Sequence, residues 1–255
     1  MIKLNAPKGL GDAIYMRAIA LHLLGRGEAV KVYTWWPDVF SDMPVSIVGA
    51  NDYTNDDDLH HAMACLHCRV PAIRALDRFR LTCLQAQVLE PVELRLGWKV
   101  RNQELVDDIK RRADGKRIML YQPRKVSKDG DQELTRASRA PFKTFVNRQK
   151  KAFRVKTGHP LFIQNDDDLN CELDLVGKTT ISDLFDIAAV SDFIFGEAAC
   201  FLPNLAESLD KPFTCMFSRR GLAAVSRKRV WGIRPEFMIH KKNLATVIYD
   251  DPVAA

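Results

Sequence analysis

A short glycine-containing turn near the amino terminus holds the residue types most suited to chemistry. Gly9 and Gly11 flank Leu10, and Asp12 follows directly. Glycine lets the backbone adopt positive φ or approach a ligand closely. The N–H groups and dipole at the start of a helix favour an anion or a developing negative charge. Residues 9–12 are therefore a candidate site, with Lys8 beside them.

A second interpretation of this turn is purely structural. Asp12 stands where a helix N-cap belongs, so its carboxylate could simply cap the helix. Ile14 occupies the place of the third glycine of a dinucleotide-binding turn, and no P-loop pattern occurs. The residues alone leave Asp12 open as either a cap or a catalytic group.

The elements around the turn determine where it lies. Alternation of Ile2 and Leu4 with polar residues predicts a strand, and apolar residues at helical spacing predict a helix from the turn to Gly25. Further strands are predicted at residues 29–35 and 45–48. This order is typical of a parallel α/β sheet, whose ligands collect at the carboxyl ends of the strands.

The alternation of strands and helices starts again after a break at residues 90–101, which follows a helix predicted over residues 71–89. In the second half, helices are predicted over residues 102–113, 142–155, 182–190 and 201–209, and strands over residues 117–122, 161–163, 192–196 and 212–217. A long polar loop is expected at residues 125–140. The predicted fold class is α/β, with two Rossmann-like domains (residues 1–98 and 99–255) facing a central cleft.

Composition excludes several classes of protein. The 255 residues are 47% apolar, which suffices for real cores, and no run approaches the length of a membrane span. The six cysteines lack a disulfide-scaffold spacing, so we expect reduced thiols and a cytoplasmic protein. Cys65 and Cys68 lie near histidines, but no second ligand pair follows. A half-buried helix over residues 60–68 is therefore favoured over a zinc site, and no metal is expected.

The net charge of +6 is unevenly distributed. Residues 1–98 carry ten basic and eleven acidic residues, which leaves an excess of seven positive charges in residues 99–255. Residues 135–156 contain eight basic residues and no acidic one: Arg136, Arg139, Lys143, Arg148, Lys150, Lys151, Arg154 and Lys156. Such a segment attracts polyanions or phosphorylated ligands, although a solvated face of a basic protein is the alternative.

Several motifs in order suggest a family. They are the strand and turn through residues 9–14, the run Leu-Val-Gly-Lys-Thr-Thr-Ile at residues 175–181, Asp-Phe-Ile-Phe-Gly-Glu at residues 192–197, and Leu-Pro-Asn-Leu-Ala-Glu-Ser-Leu-Asp-Lys-Pro at residues 202–212. The sequence resembles GT-B glycosyltransferases, and its amino-terminal turn resembles that of bacterial heptosyltransferases.

The resemblance implies roles for particular residues. The amino-terminal domain would receive the acceptor and the second domain would hold a nucleotide sugar, with no metal or other cofactor. Asp12 would be the general base that takes the acceptor's proton. Gly196, Glu197 and Asn204 would lie around the donor. Arg124 and Lys125 would bind its diphosphate, whose developing charge basic groups stabilise.

The sequence also departs from the heptosyltransferase pattern. Residues 199–201 read Ala-Cys-Phe where that group carries Asp-Ser/Thr-Gly followed by His, and the chain is short for the group. It resembles, more loosely, the phage enzymes that glycosylate hydroxymethylated pyrimidines in DNA, which would place it in a host cytoplasm. Phosphate contacts and a flipped base would then be needed. Arg136, Arg139, Lys143, Arg148, Lys150 and Lys151 would be the DNA-binding residues.

Three functions therefore compete at this stage. The first is transfer of a sugar to a hydroxymethylated base in DNA, and the second is transfer to lipopolysaccharide or another surface glycan. The third is a non-catalytic nucleic-acid-binding module on the same scaffold, in which Asp12 only caps its helix. A sugar-nucleotide epimerase on this fold is a further alternative.

Overall fold

The computed structural model describes residues 1–6, 9–49, 60–61, 78–123, 139–159, 163, 169–197, 201–218 and 245–250. The chain divides into two compact units, Met1–Gly97 and Trp98–Ala255. The roles expected of the two halves as acceptor-binding and donor-binding domains stay predictions.

Unit 1 is built on a parallel sheet, of which the described residues form four strands. Its elements are β1 (Ile2–Asn5), α1 (Leu10–Gly25), β2 (Val30–Thr34), a short 3-10 helix (Pro37–Val39), β3 (Ser46–Gly49), β4 (His60–His61) and α2 (Arg78–Gln85). The strand order is β3-β2-β1-β4, and each pair is parallel. Ile2 lies opposite Val30, and Leu4 lies opposite His60. The predicted parallel arrangement of the first strands is confirmed.

The helix α1 is the core of unit 1. Ile14, Met16 and Ile19 are fully buried, and Tyr15 packs against Phe79 of α2 with ring centroids 5.3 Å apart. The helix contacts α2, β1 and β2. A helix that is covered on several sides shows apolar residues around most of its circumference, as this one does.

The helix predicted over residues 60–68 is wrong at its start. His60 and His61 form β4 and pair with Leu4 and Asn5 of β1. A strand of two residues is too short to show a period in the sequence, so its extended backbone is set by pairing with β1 alone. Cys65 and Cys68 lie outside the described residues, and so do residues 71–77 of the helix predicted over residues 71–89. The described part of that prediction is helical over Arg78–Gln85, which is α2.

Unit 2 contains a second sheet, to which the described part of the chain contributes six strands. Its elements are α3 (Gln103–Ala113), β5 (Arg117–Tyr121), α4 (Arg139–Arg148), β6 (Ala152–Lys156), β7 (Leu173–Asp174), α5 (Ile181–Val190), β8 (Phe193–Glu197), α6 (Leu202–Ser208), β9 (Phe213–Ser218) and β10 (Ala245–Asp250). The order is β10-β9-β8-β5-β6-β7, with parallel pairing throughout. Met119, Tyr121, Phe142 and Phe195 share one buried cluster. The α/β class with a parallel sheet in each half is confirmed.

The helix predicted over residues 142–155 is wrong in its second half. The chain instead ends α4 at Arg148 and forms β6, which pairs with β5 on one side and β7 on the other. Arg154 and Lys156, only 8% and 4% exposed, are buried in this strand. Arg154 Nη2 lies 2.7 Å from Glu172 Oε1, and Lys156 Nζ lies 2.6 Å from Asp174 Oδ2. Their partners come from a distant segment, so the two basic residues look solvent-facing in the sequence.

The strand predicted at residues 161–163 lies outside the described residues except for Ile163, which is buried. The expected loop at residues 125–140 is also outside them, apart from its last two residues, which begin α4.

At α5 the cap is Thr180 rather than the predicted Ser182, because Thr180 and Asp183 form a reciprocal capping box.

A buried carboxylate fixes the start of unit 2. Asp186 on α5 is fully buried and accepts hydrogen bonds from Trp98 Nε1 at 2.6 Å, from the N–H of Arg101 at 3.1 Å and from the N–H of Asn102 at 2.8 Å. The Trp98 ring packs edge-on against Phe185, and the Arg101 guanidinium lies 4.2 Å from the Trp98 ring centroid. Residues 98–102 are thus held to α5, and Asn102 is in place as the N-cap of α3.

Among the described residues, no helix has both the length and the apolar composition needed to cross a bilayer.

The ion pair inside β6 predicts a specific pH dependence of stability. Burial alone would raise the pKa of Glu172, but hydrogen bonds from the Arg154 side chain and backbone outweigh it and hold the pKa below its usual range. A carboxyl whose pKa is lowered by folding stabilises the protein above its unfolded pKa, and this contribution is lost as the pH falls through the folded value. Glu172→Gln should therefore lower the urea midpoint at pH 7, and the difference from wild type should shrink below about pH 4.

The matched control is Glu93→Gln, which breaks an exposed pair with Arg95 and should change the midpoint little at either pH. A difference between wild type and Glu172→Gln that stays constant from pH 7 to pH 3 would contradict the assigned role of the Arg154–Glu172 pair.

Candidate functional site

The glycine turn of unit 1 adopts a different geometry from the one the sequence predicted. The helix α1 begins at Leu10, with Gly9 as its N-cap, and Asp12 is its third residue. Asp12 is therefore not the N-cap, and Gly9, which is, has no side chain to make a capping hydrogen bond. The helix thus starts two residues before Asp12, and its first residue, Leu10, is buried in the core. Gly9 has extended backbone angles (φ −76°, ψ 130°), so its role does not depend on positive φ.

Any side chain at position 9 would displace the Asp12 carboxylate. A Cβ atom placed on Gly9 would lie 2.7 Å from Asp12 Oδ2, closer than real Cβ atoms come to other heavy atoms. The Asp12 carboxylate thus lies back over the N-cap residue, in the first turn of a sixteen-residue helix, where negative charge is favoured. Asp12 and Gly11 are both half-buried. Lys8 lies outside the described residues.

The turn lies at the carboxyl edge of the unit 1 sheet. The N–H of Ala6 donates to the carbonyl of Tyr33 at 2.8 Å, so the chain leaves β1 beside the end of β2. Thr34 is buried, and its Oγ1 accepts from the N–H of Trp36 at 2.9 Å. Trp35, between them, is 51% exposed. In the sequence analysis this tryptophan served only to end a strand, although ligands of parallel α/β sheets bind at the carboxyl ends of the strands.

A buried arginine anchors the helix that carries Asp12. Arg17 is 1% exposed, and its guanidinium donates to the two carboxylate oxygens of Asp42 at 2.6 and 2.8 Å. It also donates to the carbonyls of Val39 and Leu96. One side chain therefore joins α1 to the segment after β2 and to the end of unit 1. No local pattern predicts this role, because the partners are 22 to 79 residues away.

Unit 2 has its own candidate site at the point where the strand order reverses. From β5 the chain proceeds outward to β6 and β7, and then crosses back to β8 on the other side of β5. In parallel α/β sheets, ligands bind at the carboxyl ends of the two strands that flank such a reversal. Gln122 follows β5 directly, and Glu197 ends β8. Both side chains are buried.

The predicted donor-binding residues that the structure describes lie near this reversal. Gly196 and Glu197 are the last residues of β8, paired in register with Cys215 and Met216 of β9. Asn204 is buried in α6, a helix that contacts β8 and β9. Arg124 and Lys125 lie outside the described residues, so their diphosphate role stays a prediction.

Gln122 was missed by sequence reasoning. It is 4% exposed, and its N–H donates to the carbonyl of Phe195 at 3.4 Å. Its side-chain Oε1 has no hydrogen-bond partner among the residues that the structure describes. Buried polar atoms in folded proteins are nearly always paired, so an unpaired acceptor at a strand reversal calls for an explanation.

The basic residues proposed to bind DNA are dispersed. Arg148, Lys150 and Lys151 are exposed, but they end α4 and precede β6, which places them at the amino edge of the sheet, opposite Gln122 and Glu197. Lys143 is half-buried on α4. Arg136 and the side chain of Arg139 are outside the described part of the chain. Because Arg154 and Lys156 are buried in ion pairs, the segment offers fewer charges to a polyanion than its sequence indicates.

Among the residues that the structure describes, no three His, Cys, Asp or Glu side chains gather as potential metal ligands. Because Cys65 and Cys68 are not among them, the expectation of no metal stays a prediction.

Comparisons with known proteins give a result for the fold. No protein-family model matches the sequence, and no curated protein matches it. A glycosyl transferase of family 9 from Veillonella parvula is 10% identical, with a TM-score of 0.60 over 97% of this chain and 85% of its own. The E. coli ADP-heptose lipopolysaccharide heptosyltransferase II is 15% identical, with a TM-score of 0.59 over 96% and 89%. The E. coli heptosyltransferase WaaC, solved with ADP, is 7% identical, with a TM-score of 0.55 over 98% and 93%.

At these identities the likeness concerns the fold. The chain has the GT-B glycosyltransferase fold in its heptosyltransferase-like form, so the resemblance predicted from residues 9–14 and 175–212 is confirmed at that level. The looser likeness to phage enzymes that glycosylate DNA gains no support.

The Arg17 network predicts a large loss of stability on substitution. Arg17→Met leaves the Asp42 carboxylate and two carbonyls without their donor, and should lower the free energy of unfolding by about 3–5 kcal/mol. Arg26→Met at the exposed end of the same helix should cost less than about 1 kcal/mol. Adding Asp42→Leu to Arg17→Met should recover part of the loss. Urea unfolding measures all three, and an Arg17→Met variant as stable as Arg26→Met would contradict the anchoring role.

Proposed function

We propose that this chain is a glycosyltransferase that moves a sugar from a nucleotide-sugar donor to a hydroxyl group of a surface-glycan acceptor, as heptosyltransferases do. The observation that carries the proposal is the placement of Asp12. Its carboxylate lies over Gly9 in the first turn of α1, at the carboxyl edge of a parallel sheet, in a chain with the GT-B fold.

In the proposed reaction, the acceptor hydroxyl oxygen attacks the anomeric carbon of the donor sugar. Asp12 takes the hydroxyl proton as the new carbon–oxygen bond forms. The bond from the anomeric carbon to the diphosphate oxygen breaks, and the nucleoside diphosphate leaves with the electron pair. Its charge is to be stabilised by unit 2, for which Arg124 and Lys125 stay the predicted diphosphate partners.

Trp35 supports a glycan acceptor. It follows β2 at the same sheet edge as the Asp12 turn, and half of its side chain is exposed. An indole offers a flat apolar face and an N–H donor, which suit the C–H face and the hydroxyls of a sugar ring. We assign Trp35 to acceptor binding.

The solved neighbours favour this acceptor class over DNA. Two of them are heptosyltransferases, one of which is described as acting with ADP-heptose on lipopolysaccharide. By contrast, Arg148, Lys150 and Lys151 lie at the amino edge of the unit 2 sheet. An ADP-linked sugar is accordingly the proposed donor. Metal independence and a DNA acceptor stay predictions from sequence.

Substitution at Asp12 tests the proposal directly. Purified chain is incubated with ADP-sugars and a panel of bacterial glycan acceptors, and the transferred sugar is detected by mass spectrometry. Asp12→Asn should lower kcat by about 10²–10⁴-fold without changing the affinity for ADP, because only the base is removed. Asp107→Asn, an exposed charge change on α3, should leave kcat unchanged.

Gly9→Ala sharpens the same test. Its methyl group should displace the Asp12 carboxylate and lower kcat by about tenfold or more, since small misplacements of catalytic groups are costly. Gly25→Ala at the other end of α1 meets no atom within 4 Å and is the matched control. Absence of transfer from any donor to any acceptor, or full activity of Asp12→Asn, would refute the proposal.

Trp35→Ala should raise KM for the glycan acceptor by about tenfold, with KM for the donor unchanged. Trp35→Phe, which keeps an aromatic face, should recover most of the affinity. Steady-state kinetics with each substrate varied in turn distinguish the two KM values. An effect on the donor KM alone would contradict the assignment of Trp35 to the acceptor.

A further inference from the structure

We infer that Gln122 is a specificity residue of the donor site, where its side-chain oxygen accepts a hydrogen bond from the nucleoside part of the bound nucleotide. This inference rests on the proposed function, because it assumes that unit 2 binds a nucleotide.

The first observation is the state of the side chain. Gln122 is more than nine-tenths buried, and its Oε1 makes no hydrogen bond within the described part of the chain. A buried acceptor without a donor destabilises the folded chain, because it has lost its hydrogen bonds to water. A leucine or methionine would fill the same space without this penalty. The stability of the fold therefore does not explain why an amide stands at this position. A ligand that donates a hydrogen bond to Oε1 does explain it.

The second observation is the place of Gln122 in the sheet. It directly follows β5, beside the end of β8, where its N–H donates to the carbonyl of Phe195. On the other side, the N–H of Thr157 after β6 donates to the carbonyl of Tyr121. Gln122 therefore lies between the carboxyl ends of three neighbouring strands, at the reversal of strand order where parallel α/β sheets bind nucleotides.

Gly158 leaves space for the side chains beside Gln122. Its φ of +143° is one that residues with side chains rarely adopt. A Cβ at this position would lie 2.9 Å from the Ile163 side chain and 3.5 Å from Gln122 Cγ. The glycine thus leaves room for Ile163 and Gln122 to pack at the end of β6.

Only those groups of a nucleotide that donate hydrogen bonds can pair with Gln122 Oε1. Phosphate oxygens are acceptors and cannot pair with another acceptor. The groups of ADP that donate hydrogen bonds are the ribose hydroxyls and the adenine amino group. A site that is built to pair with such a group discriminates strongly against an analogue that lacks it.

The test measures nucleotide affinity and stability together, using the full chain. Titration calorimetry is performed with ADP, 2′-deoxy-ADP, 3′-deoxy-ADP and inosine diphosphate on wild type, Gln122→Met and the control Gln149→Met, which lies before β6 at the amino edge of the sheet. Gln122→Met should bind ADP about tenfold more weakly, the worth of one hydrogen bond. Its melting temperature without ligand should equal or exceed that of wild type, because the unpaired acceptor is gone.

The analogues identify the ligand group. One of them should bind wild type about tenfold more weakly than ADP does, and the same analogue and ADP should bind Gln122→Met equally. Equal ADP affinity of wild type and Gln122→Met, a lower melting temperature of Gln122→Met with unchanged affinity, or absence of ADP binding by wild type would each overturn the inference. The sugar-transfer assay separates this inference from the proposed function. If wild type transfers sugar and Gln122→Met binds ADP as tightly as wild type does, only the role of Gln122 is refuted. If ADP binding depends on Gln122 but no sugar is transferred, only the proposed function is refuted.

Discussion

Parallel strand pairing is the constraint on which the rest of this structure depends. Each strand pair described in the two units is parallel. Successive parallel strands must be joined by a connection that crosses the sheet, so the segments that follow the strands emerge at one edge. The Gly9 turn and Trp35 meet that edge in unit 1, and Gln122 and Glu197 meet it in unit 2. Basic side chains that precede a strand, such as Lys150, are thereby placed at the opposite edge.

Much of this architecture could be predicted because its signals are local. The strand β1, the helix α3 and the end of the helix α1 agree with the sequence prediction within one or two residues, since apolar periodicity and turn residues mark them. The strand β6 was not predicted, because the burial of Arg154 and Lys156 depends on acidic partners 18 residues further along the chain. Because the sequence does not show which acidic residues pair with them, a run of basic residues is most simply interpreted as an exposed helix.

The candidate site was predictable in position but not in detail. The glycines and Asp12 indicated the turn, whereas the helix start at Leu10 depends on burial of that leucine in the core of unit 1. Arg17 and Gln122 gave no signal at all. Arg17 acquires its role because the fold brings carbonyls and the Asp42 carboxylate around its guanidinium. Gln122 is recognised because its buried Oε1 has no hydrogen-bond partner in the described part of the chain. Net charge was the least informative feature, because it does not tell paired charges from available ones.

We propose above all that unit 2 binds a nucleotide at the carboxyl ends of β5 and β8. The most direct measurement is a crystal structure of the chain in complex with ADP. We expect the nucleotide at that edge of the sheet, with a donor group of its ribose or base within about 3 Å of Gln122 Oε1. ADP bound instead at the amino edge beside Lys150 and Lys151, or no bound ADP at saturating concentration, would contradict it.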